Sequence, residues 1–236
     1  MLLSNVLFQI SKPFLDISLN NKKIKNICLN SNDIKKGDLF VSLKGKTYKG
    51  NNFVEEAIIK GAVIIITDTK IKNIKSRIPI IYDKDIKKKL PNLLNYLYKI
   101  LPNNIVGITG TNGKTTVAWL IRHIFKTSNI KCGMLGTIVC DNGAVSTTSI
   151  LTTPSFCDTS KLLRSMVDHD CKVAVMECSG HALDQGRTAA LQFEAGVFTN
   201  LSWDHMDYFG NSDAYLRAKM RLFENVVGYS IINMDD

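Results

Sequence analysis

The run Val106-Gly107-Ile108-Thr109-Gly110-Thr111-Asn112-Gly113-Lys114-Thr115-Thr116 constrains the fold of this chain more than any other segment. It joins a β-branched stretch, Asn104–Ile108, to a segment of helical pattern, Lys114–Lys126. A strand that turns through glycines into a helix is the setting a phosphate cradle requires. Gly110 and Gly113 let backbone N–H groups face inward, and the helix N-terminus adds partial positive charge. Lys114 is placed to reach the β and γ phosphates, and the Thr115 hydroxyl to ligate Mg²⁺. The loop Gly110, Thr111, Asn112, Gly113, Lys114, Thr115, Thr116 is therefore the expected binding segment for a nucleoside triphosphate. The general pattern asks for glycine where Ile108 stands, so the loop is a variant of its class.

With 236 residues the chain can form one large or two ordinary domains, and 45% hydrophobic residues mark it as soluble and globular. No apolar run reaches the roughly 18–20 residues needed to span a bilayer. Met1–Asn20 lacks a basic start and is interrupted by Lys12 and Asp16, so it does not read as a signal peptide, and a cytoplasmic protein is expected. The six cysteines, Cys28, Cys132, Cys140, Cys157, Cys171 and Cys178, have neither C-x-x-C spacing nor partner histidines at zinc-finger intervals. They read as buried free thiols. Charge is uneven: residues 1–100 hold 19 Lys/Arg against 8 Asp/Glu, and residues 101–236 hold 11 against 13. The basic half is a solvated lysine-rich surface or a surface for an anionic ligand. Lys87-Lys88-Lys89 has no interleaved aromatics, so no nucleic-acid partner is expected, and a small diphosphate-carrying substrate fits better.

Two segments separate near residue 102, with Leu101-Pro102-Asn103 as a hinge. The first, 1–102, alternates strands (Asn26–Leu29, Asp38–Leu43, Ala62–Thr67, Pro79–Tyr82) with helices (Asn52–Lys60, and Asp85–Leu101 with Pro91 limiting its first turns), a small α/β domain. The second, 103–236, repeats the alternation. Strands are expected at Asn104–Thr109, Gly133–Val139, Lys172–Glu177, Phe193–Thr199 and Tyr229–Asn233, and helices at Lys114–Lys126, Ser160–Asp168 and Ser212–Asn225. This is part of a doubly wound, mostly parallel sheet, which binds nucleotides at the carboxyl ends of its strands. The sequence stops soon after its last apolar strand, where a crossover helix normally follows, and so reads as cut off, with an exposed sheet edge.

Three more clusters stand at strand ends. Thr152-Thr153-Pro154 offers two hydroxyls and their amides to phosphate oxygens, although such a tripeptide is commonly a capped turn. Glu177, in Glu177-Cys178-Ser179-Gly180-His181-Ala182-Leu183, places a carboxylate where it can hold Mg²⁺. Thr199-Asn200-Leu201-Ser202-Trp203-Asp204-His205-Met206-Asp207-Tyr208, followed by Tyr215 and Lys219, crowds metal-competent groups behind a strand. Taken singly, His205 reads as a structural histidine and Lys219 as a solvated helix lysine.

Together, in order and spacing, the loop Gly110–Thr116, Thr152-Thr153-Pro154, Glu177–Leu183 and Asn200–Lys219 resemble the Mur ligase family, the ATP-dependent amide-forming enzymes of peptidoglycan precursor synthesis. Asn30-Ser31-Asn32 with Lys36–Gly45 is similar to that family's uridine-binding domain. The closest likeness is to the branch that adds the third amino acid, meso-diaminopimelate ahead of L-lysine, to UDP-MurNAc-L-Ala-D-Glu through an acyl phosphate. The resemblance implies an N-terminal uridine-binding domain, part of a P-loop ATPase domain, and absence of the family's C-terminal domain. It implies that Ser31, Lys46, Thr47 and Tyr48 contact the UDP-sugar, and that Thr152, Thr153, Ser179, Gln185 and Arg187 bind the muramoyl dipeptide. Lys114, Glu177, His205 and Lys219 become the catalytic set. Thr115, Glu177, His205 and Lys219 become the Mg²⁺ set, with Lys219 carbamylated by CO₂. The partners are UDP-MurNAc-L-Ala-D-Glu, ATP and an amino acid, with no nucleic acid and no membrane, and the full-length enzyme is expected to be a monomer. Departures from the family pattern are Asn30 and Asn32 for Asp and Arg, Lys49-Gly50-Asn51 for Asp-Gly-His, Gly180 for a second serine, Trp203 for Arg, and Phe209 for His. Two other readings use the same residues. One is a relative of the same fold, the D-Ala-D-Ala-adding ligase or folylpolyglutamate synthase. The other is a fragment that binds substrate or nucleotide without turnover.

Overall fold

The computed structural model describes residues 2–10, 22–44, 50–71, 74, 76–98, 104–189 and 191–235. The chain divides into two compact units, Met1–Leu97 and Tyr98–Asp236. The expected hinge at Leu101-Pro102-Asn103 lies outside the described residues.

The first unit opens with helix α1 (Leu3–Gln9), which buries Leu3, Val6 and Leu7 completely and was not legible in the sequence. Its sheet has four parallel strands in the order β1 (Ile27–Cys28), β2 (Leu39–Ser42), β3 (Ile64–Thr67) and β4 (Ile80–Tyr82). The Ile-Ile-Ile-Thr of β3 is buried at every position, as a strand covered on both faces must be. Cys28, Phe40 and Ile65 pack with Val54 and Ala57 of α2 (Val54–Ile59), while the alternating Ile27, Leu39, Ile64 and Ile66 are also buried. The helix expected over Asn52–Lys60 begins as a 3-10 turn, Gly50–Phe53. Helix α3 spans Ile86–Tyr98.

The second unit carries a seven-stranded sheet. Its strands are β5 (Asn104–Thr109), β6 (Cys132–Leu135), β7 (Val139–Asp141), β8 (Ser146–Thr148), β9 (Val173–Glu177), β10 (Phe193–Phe198) and β11 (Val226–Ile232), in spatial order β11-β10-β5-β9-β6-β7-β8. The first five in that order are parallel, and β7 and β8 extend the sheet as an antiparallel pair. The helices are α4 (Lys114–Thr127), α5 (Phe156–Asp168), α6 (Gly180–Asp184), α7 (Met206–Phe209) and α8 (Ser212–Met220). The alternation of β9 separates the two cores. Val173 and Val175 pack with Ala118, Val117 and Ile121 of α4, while Ala174 and Met176 pack with Leu163 and Met166 of α5 and Leu183 of α6. The doubly wound, mostly parallel architecture thus has helices on both faces.

Several boundaries differ from the sequence reading. The strand expected over Gly133–Val139 is two strands, because the chain reverses at Gly136, whose N–H donates to the Val139 carbonyl at 3.1 Å. Helix α5 starts at Phe156 instead of Ser160 because the Ser155 hydroxyl caps Asp158 N–H at 3.2 Å. The helix expected over Ser212–Asn225 stops at Met220, and a 3-10 turn, Phe223–Asn225, leads directly into β11 at Val226. Strand β11 forms the sheet edge and leaves Val227, Tyr229, Ile231 and Ile232 exposed. All six cysteines are buried, and burial pushes the thiols of Cys132 and Cys178 up to about 12. Among the described residues no helix is long and apolar enough to cross a membrane.

At the centre of the sheet, Gly107 in β5 has no room for a side chain. A Cβ there would stand 2.7 Å from Leu222 and from Phe193. Gly107→Ala should lower unfolding stability by about 1–3 kcal/mol, measured from urea midpoints at unchanged slope. A midpoint equal to that of the parent chain would contradict this packing.

Candidate active site

The loop between β5 and α4 is shaped by two glycines. Gly110 has φ 141°, and a Cβ there would fall 1.9 Å from Thr199 Oγ1, so only glycine fits. Gly113, φ 81°, caps α4 without any side-chain hydrogen bond, and the first turn of α4 contains no acidic residue. Elsewhere in the unit Ser155 caps α5, Ser179 caps α6 and Asn211 caps α8, whereas the one-turn α7, like α4, has no side-chain cap. Helix α4 therefore keeps the N–H groups of its first turn uncapped by a side chain, which is the form of an anion site.

The loop after β10 clasps this turn. Thr111 N–H donates to the Asn200 carbonyl at 2.9 Å, and Asn112 N–H to Asn200 Oδ1 at 2.8 Å. The Thr199 hydroxyl donates to the Asn112 carbonyl at 2.6 Å, and Ser202 N–H to Thr111 Oγ1 at 3.0 Å. With its peptides fixed in this way, the loop is preorganised. Lys114 Nζ folds back to the carbonyls of Gly110 at 2.9 Å and Thr111 at 2.7 Å. Burial pulls Lys114 below the usual lysine range, against the opposing pull of Glu177 and Asp204.

Glu177 ends β9 with its side chain fully buried. Its Oε2 accepts the Thr115 hydroxyl at 2.8 Å and the Thr137 hydroxyl at 2.9 Å, while Oε1 accepts Thr137 N–H at 2.9 Å. The adjacent oxygens of Thr115 and Glu177 at the mouth of a phosphate loop fit Mg²⁺, a cation that takes oxygen ligands and keeps much of its shell for phosphates and water. Among the described residues no three His, Cys, Asp or Glu side chains form a ready metal cluster.

Lys219, on α8, is 1% exposed, and its Nζ donates to the Gly110 carbonyl at 2.7 Å while lying 4.0 Å from the Tyr215 ring centroid. Two ammonium groups, of Lys114 and Lys219, thus share one carbonyl. Burial first, and then the charge of Lys114, bring Lys219 down to about 7. His205 sits in the left-handed region at φ 56°, with Nε2 3.4 Å from Asp204 and its ring 4.6 Å from that of His181. Burial and the neighbouring His205 hold His181 below the usual imidazole range. Two departures have a packing reason. Phe209 lies 5.0 Å from the Tyr215 ring, and a Cβ on Gly180 would already stand 2.9 Å from Tyr215. Trp203 is 79% exposed, and nothing in the structure explains it in place of arginine.

The polar residues beside this centre form one network. Thr152 Oγ1 lies 3.1 Å from Thr137 Oγ1. The Thr153 hydroxyl donates to the Glu177 carbonyl at 2.8 Å, and Ser179 N–H donates to Thr153 Oγ1 at 3.0 Å. Arg187 donates through Nη1 to the Thr153 carbonyl at 2.8 Å and through Nη2 to Gln185 Oε1 at 2.6 Å. In the first unit, the Ser31 hydroxyl donates to Glu56 at 2.7 Å, Asn30 caps the turn through Asn32 N–H, and Lys60 Nζ reaches Asn32 Oδ1 at 3.1 Å. Lys46, Thr47 and Tyr48 lie outside the described residues, as does Lys49. Thr137 is the residue that the sequence does not single out, and Thr199 and Asn200, although they open the third cluster, carry no sequence signal for contact with the loop. Only strand order brings them to the loop.

Comparison with known proteins agrees with this geometry. A model of the Mur ligase middle domain matches residues 108–236, and a model described as the Mur ligase family, catalytic domain, matches residues 23–105. The chain is 37% identical over 236 residues to a UDP-N-acetylmuramoyl-L-alanyl-D-glutamate–2,6-diaminopimelate ligase of Aquifex aeolicus, covering 99% of this chain and 48% of the relative. It is 38% identical over 217 residues to the protein of the same name from Clostridium perfringens, covering 91% and 44%. The chain thus spans about half the length of these curated relatives. A solved structure of a ligase of that name superposes with TM-score 0.78 at 26% identity, covering 100% of this chain and 47% of the other.

The environment of Lys219 gives a signed pH test. Its unfolded value is the ordinary 10.5 and its folded value about 7, so between these the unfolded state holds a proton that the folded state has lost. The cost of burying Lys219 is fully present below the folded value and is relieved as pH rises. In bicarbonate-free buffer, stability relative to Lys219→Met should increase with pH across that window. Parallel stability curves would show that the amine is not desolvated as described.

Proposed function

The chain belongs to the Mur ligase family, and on that footing we propose that it carries the nucleotide and acceptor sites of an ATP-dependent ligase that joins an amino acid to UDP-MurNAc-L-Ala-D-Glu. The names of the relatives support meso-diaminopimelate ahead of L-lysine as that amino acid. The observation that carries the reading is the uncapped N-terminus of α4 beside two lysines and a buried carboxylate.

In the proposed reaction the glutamyl carboxylate of the acceptor attacks the γ-phosphorus of ATP, forming a C–O–P bond and releasing ADP. The incoming amine then displaces phosphate from the acyl phosphate through a tetrahedral intermediate, losing one proton and forming the amide. The free N–H groups of Gly113–Thr116 and the Lys114 ammonium offset the charge that builds on the phosphoryl oxygens. Mg²⁺, when bound, neutralises phosphate charge, and Thr115, Glu177, His205 and Lys219 are its proposed holders. Lys219 takes part as a carbamate: a near-neutral amine has the free electron pair that attacks CO₂, and the product is anionic, whereas a bare ammonium repels the metal. Thr152, Thr153, Ser179, Gln185 and Arg187 are the proposed contacts to the muramoyl dipeptide. Ser31, Lys46, Thr47 and Tyr48 are the proposed contacts to the UDP-sugar. We place the full-length enzyme in the cytoplasm as a monomer with no nucleic-acid or membrane partner, a setting that suits a chain of six buried cysteines without C-x-x-C spacing.

A mass-spectrometric assay with UDP-MurNAc-L-Ala-D-Glu, ATP, Mg²⁺, bicarbonate and both candidate amino acids tests the reading. The expected product is the acceptor extended by meso-diaminopimelate, with one ADP per amide. Because the relatives are about twice as long, binding without product supports the fragment reading, and a folded chain that binds neither ATP nor the acceptor contradicts both. Lys114→Ala should abolish nucleotide-dependent product while leaving UDP-sugar affinity within about twofold, since the two contacts lie in different units. Loss of both together would contradict the separation of the two sites.

A further inference from the structure

Thr137 belongs to no motif used above, yet it sits where the nucleotide loop and the Thr152–Thr153 segment meet. Its N–H and its hydroxyl each take one oxygen of Glu177, so the carboxylate is held in one plane and one rotation. The preceding residue makes that approach possible, because a Cβ on Gly136 would fall 2.2 Å from Glu177 Oε1. Glu177 in turn holds the Thr115 hydroxyl at the start of α4.

The hydroxyl of Thr137 faces two oxygens, Glu177 Oε2 at 2.9 Å and Thr152 Oγ1 at 3.1 Å, but has one proton to give. A carboxylate that already collects the Thr115 hydroxyl and Thr137 N–H is an acceptor, so the Thr137 proton goes to Glu177. Thr152 can then satisfy the contact only by donating its own proton to Thr137. Its lone pairs are then what the hydroxyl has left to offer a ligand.

We propose that Thr137 is a positioning residue with two effects: it orients the Glu177 carboxylate toward Thr115, and it commits Thr152 to act as a hydrogen-bond acceptor toward the acceptor substrate. The Thr152 hydroxyl therefore receives an N–H or O–H group of that substrate and does not itself donate to a phosphate or carboxylate oxygen, as a hydroxyl of an isolated Thr-Thr-Pro is first read to do. The inference rests on the ligase reading for the identity of the ligands.

Calorimetric titration of the chain with the Mg²⁺ complex of AMP-PNP, and separately with UDP-MurNAc-L-Ala-D-Glu, tests it. Thr137→Val should weaken both by about tenfold or more, and Thr137→Ser, which keeps the hydroxyl, should stay within about threefold of the parent. In a Glu177→Gln background, Thr137→Val should change AMP-PNP affinity by less than about twofold, because its route to the nucleotide is already broken. Thr152→Val should weaken the acceptor by about tenfold and leave AMP-PNP unchanged, an arm that stands even if Thr137→Val does not fold. Parent-like affinities in folded Thr137→Val, an undiminished effect in the Glu177→Gln background, or an unchanged acceptor affinity in Thr152→Val would each overturn the proposal. A parent chain that binds neither probe overturns the ligase reading instead, a pattern separate from any of these.

Discussion

The second unit is organised by the carboxylate of Glu177, buried at the carboxyl end of β9. Because β9 lies between β5 and β6, that end stands between the loop leaving β5 and the turn leaving β6. Thr115, 62 positions away in sequence, and Thr137, 40 positions away, both donate to it. A buried carboxylate is tolerable only when its oxygens are satisfied. The strand order supplies those donors, and the carboxylate in return fixes the ends of three neighbouring strands relative to one another. The clasp between the β10 loop and residues Thr111 and Asn112 adds a fourth strand to the same construction.

The charges around this carboxylate do not balance. Lys114 and Lys219 converge on the Gly110 carbonyl, and both are held below the usual lysine range mainly by burial. The uncapped end of α4 adds further positive potential. Such a site is set up for an anionic ligand, whose phosphates would draw Lys114 off the loop carbonyls and relieve the repulsion between the two amines. Lys219, in contact with Tyr215 and deep in the packing, has less freedom to move.

The features legible in the sequence were those written in local chemistry. Glycines at 110 and 113 between a β-branched run and a helical pattern specify the strand–loop–helix turn from β5 to α4, and the strand–helix alternation specifies a mostly parallel sheet. The β7–β8 pair is hidden because Ser146-Thr147-Thr148 is polar and exposed at every position, and so carries no alternation to read. The start of helix α5 is hidden because its cap, Ser155, directly follows Thr152-Thr153-Pro154, a tripeptide of turn character. Lys219 shows the opposite difficulty: a lysine in a helix reads as solvated, and only its place in a family-like block marked it for attention. Thr137 had no sequence signal at all, because what distinguishes it is the register of β6 beside β9. Site assembly of this kind follows from strand order, which the sequence does not print.

The central claim is that the ends of β5, β6, β9 and β10 form one nucleotide site. Amide hydrogen exchange of the chain, measured with and without Mg²⁺ and ATP, tests it most directly. The account requires added protection at 110–116 together with 136–138, 177–179 and 199–205, because these segments are joined by the hydrogen bonds of Glu177 and Asn200. Protection confined to 110–116, or none in the second unit, would contradict it.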